Sequence, residues 1–124
     1  MSTRVLAIDD SRTIRNLLRV SLEGAGFEFH CACDGQEGVD VFPDVDPDVV
    51  ITDINMPKMD GFGVIETLRS GPNRTSVPIL VLTTESSGDL KARARNAGAT
   101  GWIVKPFEDA SLVGVLKRLT GHVG

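Results

Sequence analysis

The chain has 124 residues, 41% of them apolar and 24% charged, with a net charge of −4. That length is enough for one domain with a real core. The mild acidity argues against nucleic acid or an anionic membrane as the main partner, and no apolar run approaches the length of a membrane span.

Met1 to Arg4 lead straight into a strand-like run, so no signal peptide is expected and a cytoplasmic location is. Val5-Leu6-Ala7-Ile8 is the first apolar run and ends in Asp9-Asp10. Ser11 can cap a helix starting near Arg12, in which Ile14, Leu17, Leu18 and Leu22 recur at helical spacing until Gly24 and Gly26 stop it. Phe27 to Cys33 reads as a second strand. Cys31 and Cys33 would point to the same face there and cannot bridge; they read as small, partly buried residues of a reducing compartment. His30 and His122 lack ligand partners and read as surface or packing residues. Asp34-Gly35 is a turn, and Gln36 to Phe42 is a short helix presenting Val39 and Phe42. Pro43 and Pro47 bracket a polar connection.

Asp48 to Asp53 is the third strand, its core Val49-Val50-Ile51 apolar on both faces, and it ends in a carboxylate. Pro57 then breaks the pattern and Asp60-Gly61 signals a turn. Phe62 opens a third helix carrying Val64, Ile65 and Leu68, ending near Ser70-Gly71-Pro72. Pro78 to Leu82 is the fourth strand, followed by Thr83-Thr84-Glu85. Ser87-Gly88-Asp89 begins a fourth helix with Leu90, Ala94 and Ala97 on one side, Lys91 and Arg95 on the other, and Gly98 as its C-cap. Gly101 to Val104 is a short fifth strand ending in Lys105-Pro106. Glu108 or Asp109 starts the last helix, with Leu112, Val115, Leu116 and Leu119 inward and Gly121 as its end.

Five strands alternating with five helices predict a single α/β domain over residues 1–124, with a parallel sheet, right-handed crossovers and helices on both faces. Parallel strands bring their carboxyl ends to one edge, where open α/β sheets bind ligands. That edge would carry Asp9, Asp10, Asp53, Thr83 and Lys105. Taken singly, each has a plain structural reading, such as a helix cap, a turn residue or a surface lysine. Together, three carboxylates without a counter-ion would repel and raise one another's pKa. A divalent cation resolves that, and oxygen-only ligands suit Mg²⁺. A lysine and a hydroxyl beside it complete a phosphoryl-binding site in which Asp53 is the nucleophile of an acyl phosphate.

Over essentially its full length the chain resembles the receiver domains of two-component response regulators. The motifs that carry the resemblance are Ile8-Asp9-Asp10-Ser11, Asp53-Ile54-Asn55-Met56-Pro57-Lys58-Met59-Asp60-Gly61, Leu82-Thr83, Ala97-Gly98-Ala99 and Val104-Lys105-Pro106-Phe107. The resemblance implies a flavodoxin-like (βα)5 sandwich with strand order 2-1-3-4-5. It implies Asp53 as phosphoacceptor, Asp10 as direct metal ligand with Asp9 acting through water, and the Asn55 backbone carbonyl completing the metal shell. Thr83 and Lys105 would bind the phosphoryl oxygens. The aromatic switch position falls on Trp102, where the family commonly has Tyr or Phe, and Pro106 falls where a cis bond is common. Asn55 and Glu85 fall at positions that tune self-hydrolysis.

Residues 9 to 15 resemble stand-alone, CheY-like chemotaxis receivers more than transcriptional ones, and no output domain is expected. The implied function is to accept phosphate from a histidine kinase and then to bind a flagellar motor switch protein. The chain would be a monomer that catalyses only its own phosphorylation and dephosphorylation. The partner surface would be the fourth helix, fifth strand and last helix, with Lys91, Arg95 and Trp102 and with Val113 as an exposed apolar contact. A phosphorelay intermediate or phosphate sink has the same chemistry. A haloacid dehalogenase-type phosphatase would want a second carboxylate where Asn55 stands. A flavin module would want a Ser/Thr-rich loop where Asp9-Asp10 stand.

Overall fold

In a computed structural model, residues 2–72 and 74–121 are described; His122 lies outside them. The elements are β1 (Arg4–Ile8), α1 (Arg12–Gly24), β2 (Glu28–Ala32), α2 (Gly35–Val45), β3 (Val49–Thr52), α3 (Gly61–Ser70), β4 (Ile79–Thr83), α4 (Gly88–Ala97), β5 (Gly101–Val104) and α5 (Asp109–Thr120). The five strands are all parallel, in the order β2-β1-β3-β4-β5. This is the flavodoxin-like order the resemblance implies. No helix among the described residues is long and apolar enough to cross a membrane.

The strand sequences explain the layering. Every residue of β3 and β4 is buried, as is β1 after Arg4, as expected of strands covered on both faces. Successive side chains point to opposite faces. Leu6, Ile8, Val50, Ile79 and Val81 pack with Phe42, Ile65, Leu68 and Ala94, under α2, α3 and α4. Val5, Ala7, Val49, Ile51, Leu80 and Leu82 pack with Leu18, Leu22, Leu112 and Leu116, under α1 and α5.

Four local expectations are corrected. α2 does not stop at Phe42 but runs through Pro43 to Val45. Pro43 gives up the N–H bond to the Val39 carbonyl and crowds it, and the helix goes on for only two more residues; Asp46, in the left-handed region at φ 49°, closes it by donating to the Phe42 carbonyl. Leu17 is not inward: it is 52% exposed, because Leu18 and Leu22, one turn apart, define the buried stripe. Val113 is not an exposed contact; it is half-buried against the α1/α5 core. Thr83 closes β4 rather than following it. The Lys105–Pro106 bond is cis.

Candidate functional site

The sheet ladder runs on past the strands and sets the site. Asp9 N–H donates to the Ala32 carbonyl and Asp53 N–H to the Ile8 carbonyl at 3.0 Å, so the ends of β1 and β3 stay in register and their carboxylates sit side by side. Lys105 N–H donates to the Thr83 carbonyl at 2.7 Å, which aligns the end of β5 with β4. Gly61 lets α3 start directly behind this point, since a Cβ there would strike the Asp53 carbonyl.

The side chains form one hydrogen-bonded unit. Lys105 Nζ donates at 2.8 Å to Asp9 Oδ2 and at 2.8 Å to Asp53 Oδ2. The other oxygens are held by backbone: Asp9 Oδ1 accepts from Ser11 N–H at 2.9 Å, and Asp53 Oδ1 from Ile54 N–H at 2.6 Å. Asp9 and Asp53 are buried, whereas Asp10 is exposed at the mouth. One carboxylate oxygen from each of Asp9, Asp10 and Asp53 can be chosen so that all three lie within 4.8 Å of one another. Burial pushes the Asp9 carboxyl above its ordinary range, against the lowering effect of the bonds from Lys105 and Ser11. Burial also pulls the Lys105 ammonium down, but its bonds to Asp53 and Asp9 outweigh that and leave its pKa raised. Three carboxylates facing one ammonium leave two negative charges on hard oxygen donors. That donor set fits a divalent ion of the Mg²⁺ kind.

Of the remaining expected residues, Thr83 is fully buried and its Oγ1 accepts from Glu85 N–H at 3.4 Å. Asn55 is exposed on the loop after β3, and its Nδ2 donates to Glu85 Oε1 at 3.1 Å. Trp102 is half-buried against the α2/α3/α4 core, and its Nε1–H donates to the Glu85 carbonyl at 3.0 Å. Lys91 and Arg95 are exposed on α4 and line a shallow pocket with Ala94, Gly101 and Trp102. Val113 is not among the residues that line it.

Arg15 escaped sequence reasoning. Its guanidinium donates to the Asp9 backbone carbonyl at 2.7 Å, which brings a positive charge to the acidic pair without engaging the Asp9 carboxylate. A basic residue one turn into α1 carries no signal that distinguishes it from Arg12 or Arg19.

The sheet order and the acid–lysine edge are those of a receiver domain. The profile of the response regulator receiver domain matches residues 5–117, and the chain belongs to that family. Among solved structures it is similar to the chemotaxis protein CheY4 of Vibrio cholerae, with a TM-score of 0.90 and 40% identity, covering 96% of this chain and 99% of that one. It is 40% identical over 123 residues to the transcriptional regulatory protein PrrA of Mycobacterium leprae, covering 99% of this chain and 52% of PrrA. It is 35% identical over 115 residues to the regulatory protein AtoC of Escherichia coli, covering 93% of this chain and 24% of AtoC. The chain thus spans about half or less of the length of these curated relatives.

Proposed function

We propose that Asp53 takes a phosphoryl group from a phosphohistidine of a histidine kinase, and that the modified chain switches its affinity for a flagellar motor switch protein. The observation that carries the chemistry is Lys105 Nζ, 2.8 Å from both the Asp9 and Asp53 carboxylates in a largely buried pocket. In the transfer, an Asp53 carboxylate oxygen bonds to phosphorus as the phosphorus–nitrogen bond to the histidine breaks. Lys105 moves its charge from the carboxylates to the phosphoryl oxygens. The Thr83 hydroxyl donates to one of those oxygens once it leaves Glu85 N–H. Asp10, Asp53 and the Asn55 carbonyl, with Asp9 through water, would hold Mg²⁺, which when bound supplies positive charge against the phosphoryl oxygens. The chain catalyses its own uptake and loss of phosphate and turns over no other substrate.

The motor partner is supported by the 40% identity to a chemotaxis protein over nearly that protein's whole length and by the Asn55–Glu85 pair beside Asp53. A second reading, a receiver that controls a DNA-binding output in a longer protein, is favoured by the equal identity to PrrA. Titrating a fluorescent motor-switch segment with the chain, with and without Mg²⁺ and beryllofluoride, decides between them. At least tenfold tighter binding with the mimic is expected, worth about 1.4 kcal/mol. Equal binding in both states rules out the motor reading. Absence of label on Asp53 from acetyl phosphate and from any kinase rules out the phosphoacceptor reading itself.

A further inference from the structure

Glu85 is gripped from two sides. Its carboxylate Oε1 accepts from Asn55 Nδ2 at 3.1 Å, and its backbone carbonyl accepts from the Trp102 indole Nε1–H at 3.0 Å. Its own N–H leans on Thr83 Oγ1 at 3.4 Å. One residue of the β4–α4 connection therefore links three places: the loop after β3 through Asn55, the end of β4 through Thr83 and the body of β5 through Trp102. Asn55 stands two residues past Asp53, so its bond to Glu85 bridges the seam between the loops that follow β3 and β4.

Little else holds this connection. Thr84, Ser86, Ser87 and Gly88 are exposed, the N-cap Ser87 makes no side-chain cap bond, and α4 buries only Ala94. The indole is packed on the core and offers a single donor at its ring edge. A half-buried indole N–H seeks a partner, and here it has the Glu85 carbonyl. A phenylalanine would fill the same place and donate nothing.

We infer that Trp102 is a positioning residue for the lifetime of the phosphoryl group. By holding the Glu85 carbonyl it keeps the Glu85 carboxylate on Asn55, and the closed Asn55–Glu85 pair limits the approach of water to phosphorylated Asp53. In the loss step the water oxygen bonds to phosphorus, the bond from phosphorus to the Asp53 oxygen breaks, Asp53 leaves as a carboxylate, and the proton goes to solvent with the phosphate. Any movement of Trp102 that releases Glu85 opens the same seam, so the residue at the aromatic switch position also sets how long the phosphoryl group lasts.

The inference rests on the phosphoacceptor reading for its kinetic arm alone, and a second arm needs no phosphoryl group. In that arm the Asn55 side-chain amide resonances are recorded in unmodified wild type, Trp102→Phe and Glu85→Ala. Trp102→Phe should move them towards their Glu85→Ala positions. In the kinetic arm, labelled protein is freed of donor and the loss of phosphate from Asp53 is followed. Trp102→Phe should speed loss by up to roughly tenfold, the worth of one neutral hydrogen bond, with the rate of uptake from acetyl phosphate unchanged. A protein merely loosened by the substitution would change both rates. The double variant Trp102→Phe/Glu85→Ala should lose phosphate no faster than Glu85→Ala alone. Asn55 resonances that stay at wild-type positions in Trp102→Phe overturn the inference, whether or not Asp53 is ever labelled. So does a loss rate in that variant that is unchanged or slower, or a double variant whose effects multiply.

Discussion

α3 and α4 lie on the same face of the sheet and have ten residues each, yet they are held very differently. α3 buries Gly61, Phe62, Val64, Ile65 and Leu68, and its N-cap Asp60 accepts from Gly63 N–H at 2.8 Å. α4 buries Ala94 alone and has no side-chain cap. What ties α4 to its neighbour is a guanidinium, Arg93, stacked 3.9 Å over the Phe62 ring, together with the bond from Arg69 to the carbonyl of the α4 C-cap, Gly98. α3 follows the loop that carries Asp53, and α4 follows the loop that carries Thr83 and Glu85. The helix behind Asp53 is therefore firmly packed, and the helix that presents Lys91 and Arg95 is lightly held. The proposed switch needs that difference. Ligation at Asp53 shifts an equilibrium only by its differential affinity for two states, a few kcal/mol, so the moving element cannot be anchored by more than that.

The strongest way to separate the two halves is at the acceptor. Asp53→Asn should abolish stable labelling by acetyl phosphate or a kinase, because an amide is not a competent nucleophile, while the fold is retained. Label remaining on the variant, located by peptide mapping, would place the acceptor elsewhere. The packing contrast is tested next, by paired truncations read in urea melts. Ile65→Ala in α3 removes a fully buried side chain and should cost about 2–5 kcal/mol. Leu90→Ala in α4 removes a half-buried one and should cost less than about 1 kcal/mol. Equal costs would mean that α4 is as firmly seated as α3.

The sheet edge was the more legible in sequence. Asp9, Asp10, Asp53, Thr83 and Lys105 are read from strand ends alone, because the termini of parallel strands must share an edge whatever the side chains do next. Hydrophobic periodicity likewise locates every helix. It fails at Leu17, since four apolar residues spaced 14, 17, 18 and 22 leave open which flank of the stripe faces the core, and at Val113, since neither residue's partner lies on its own helix. It fails at Pro43 because a proline in a last turn and one beyond it read alike. The links that cross from loop to loop, from Arg15 to the Asp9 carbonyl and from Trp102 to the Glu85 carbonyl, use backbone acceptors, and every residue has one of those. No residue pattern encodes them.

The charge of the sheet edge offers a subtler test. Burial first, opposed by Lys105 and Ser11, leaves the Asp9 carboxyl raised above 3.8 in the fold. The folded chain then holds that proton more tightly than the unfolded chain. Stability is accordingly lost as pH rises from about 3.8 through the folded value, and Asp9 destabilises the metal-free fold at neutral pH. In chelator at pH 7, Asp9→Asn should melt above wild type, with the gap closing as pH falls below 3.8. Mg²⁺ at a hundredfold excess over its Kd should stabilise wild type by about 2.7 kcal/mol and do less for the variant. A variant that melts lower than wild type in chelator at pH 7 would mean that Lys105 fully compensates the carboxylates.

The smallest effect bears on α4. Ser87 has the extended backbone of an N-cap, φ −61° and ψ 134°, but its hydroxyl bonds none of the first-turn N–H groups of α4. An aspartate there can accept from those groups and also meets the positive end of the helix. Ser87→Asp should therefore raise stability by about 0.5 kcal/mol, against a small repulsion from Asp89, a shift in Tm of roughly 2 °C. The same substitution tightens the N-terminal turn of α4 beside Glu85. If α4 is the element that moves, the change in Trp102 emission on adding Mg²⁺ and beryllofluoride should shrink in Ser87→Asp while the mimic still binds Asp53. A stabilised variant with the full emission change would place the moving part in the β4–α4 connection alone, upstream of the helix.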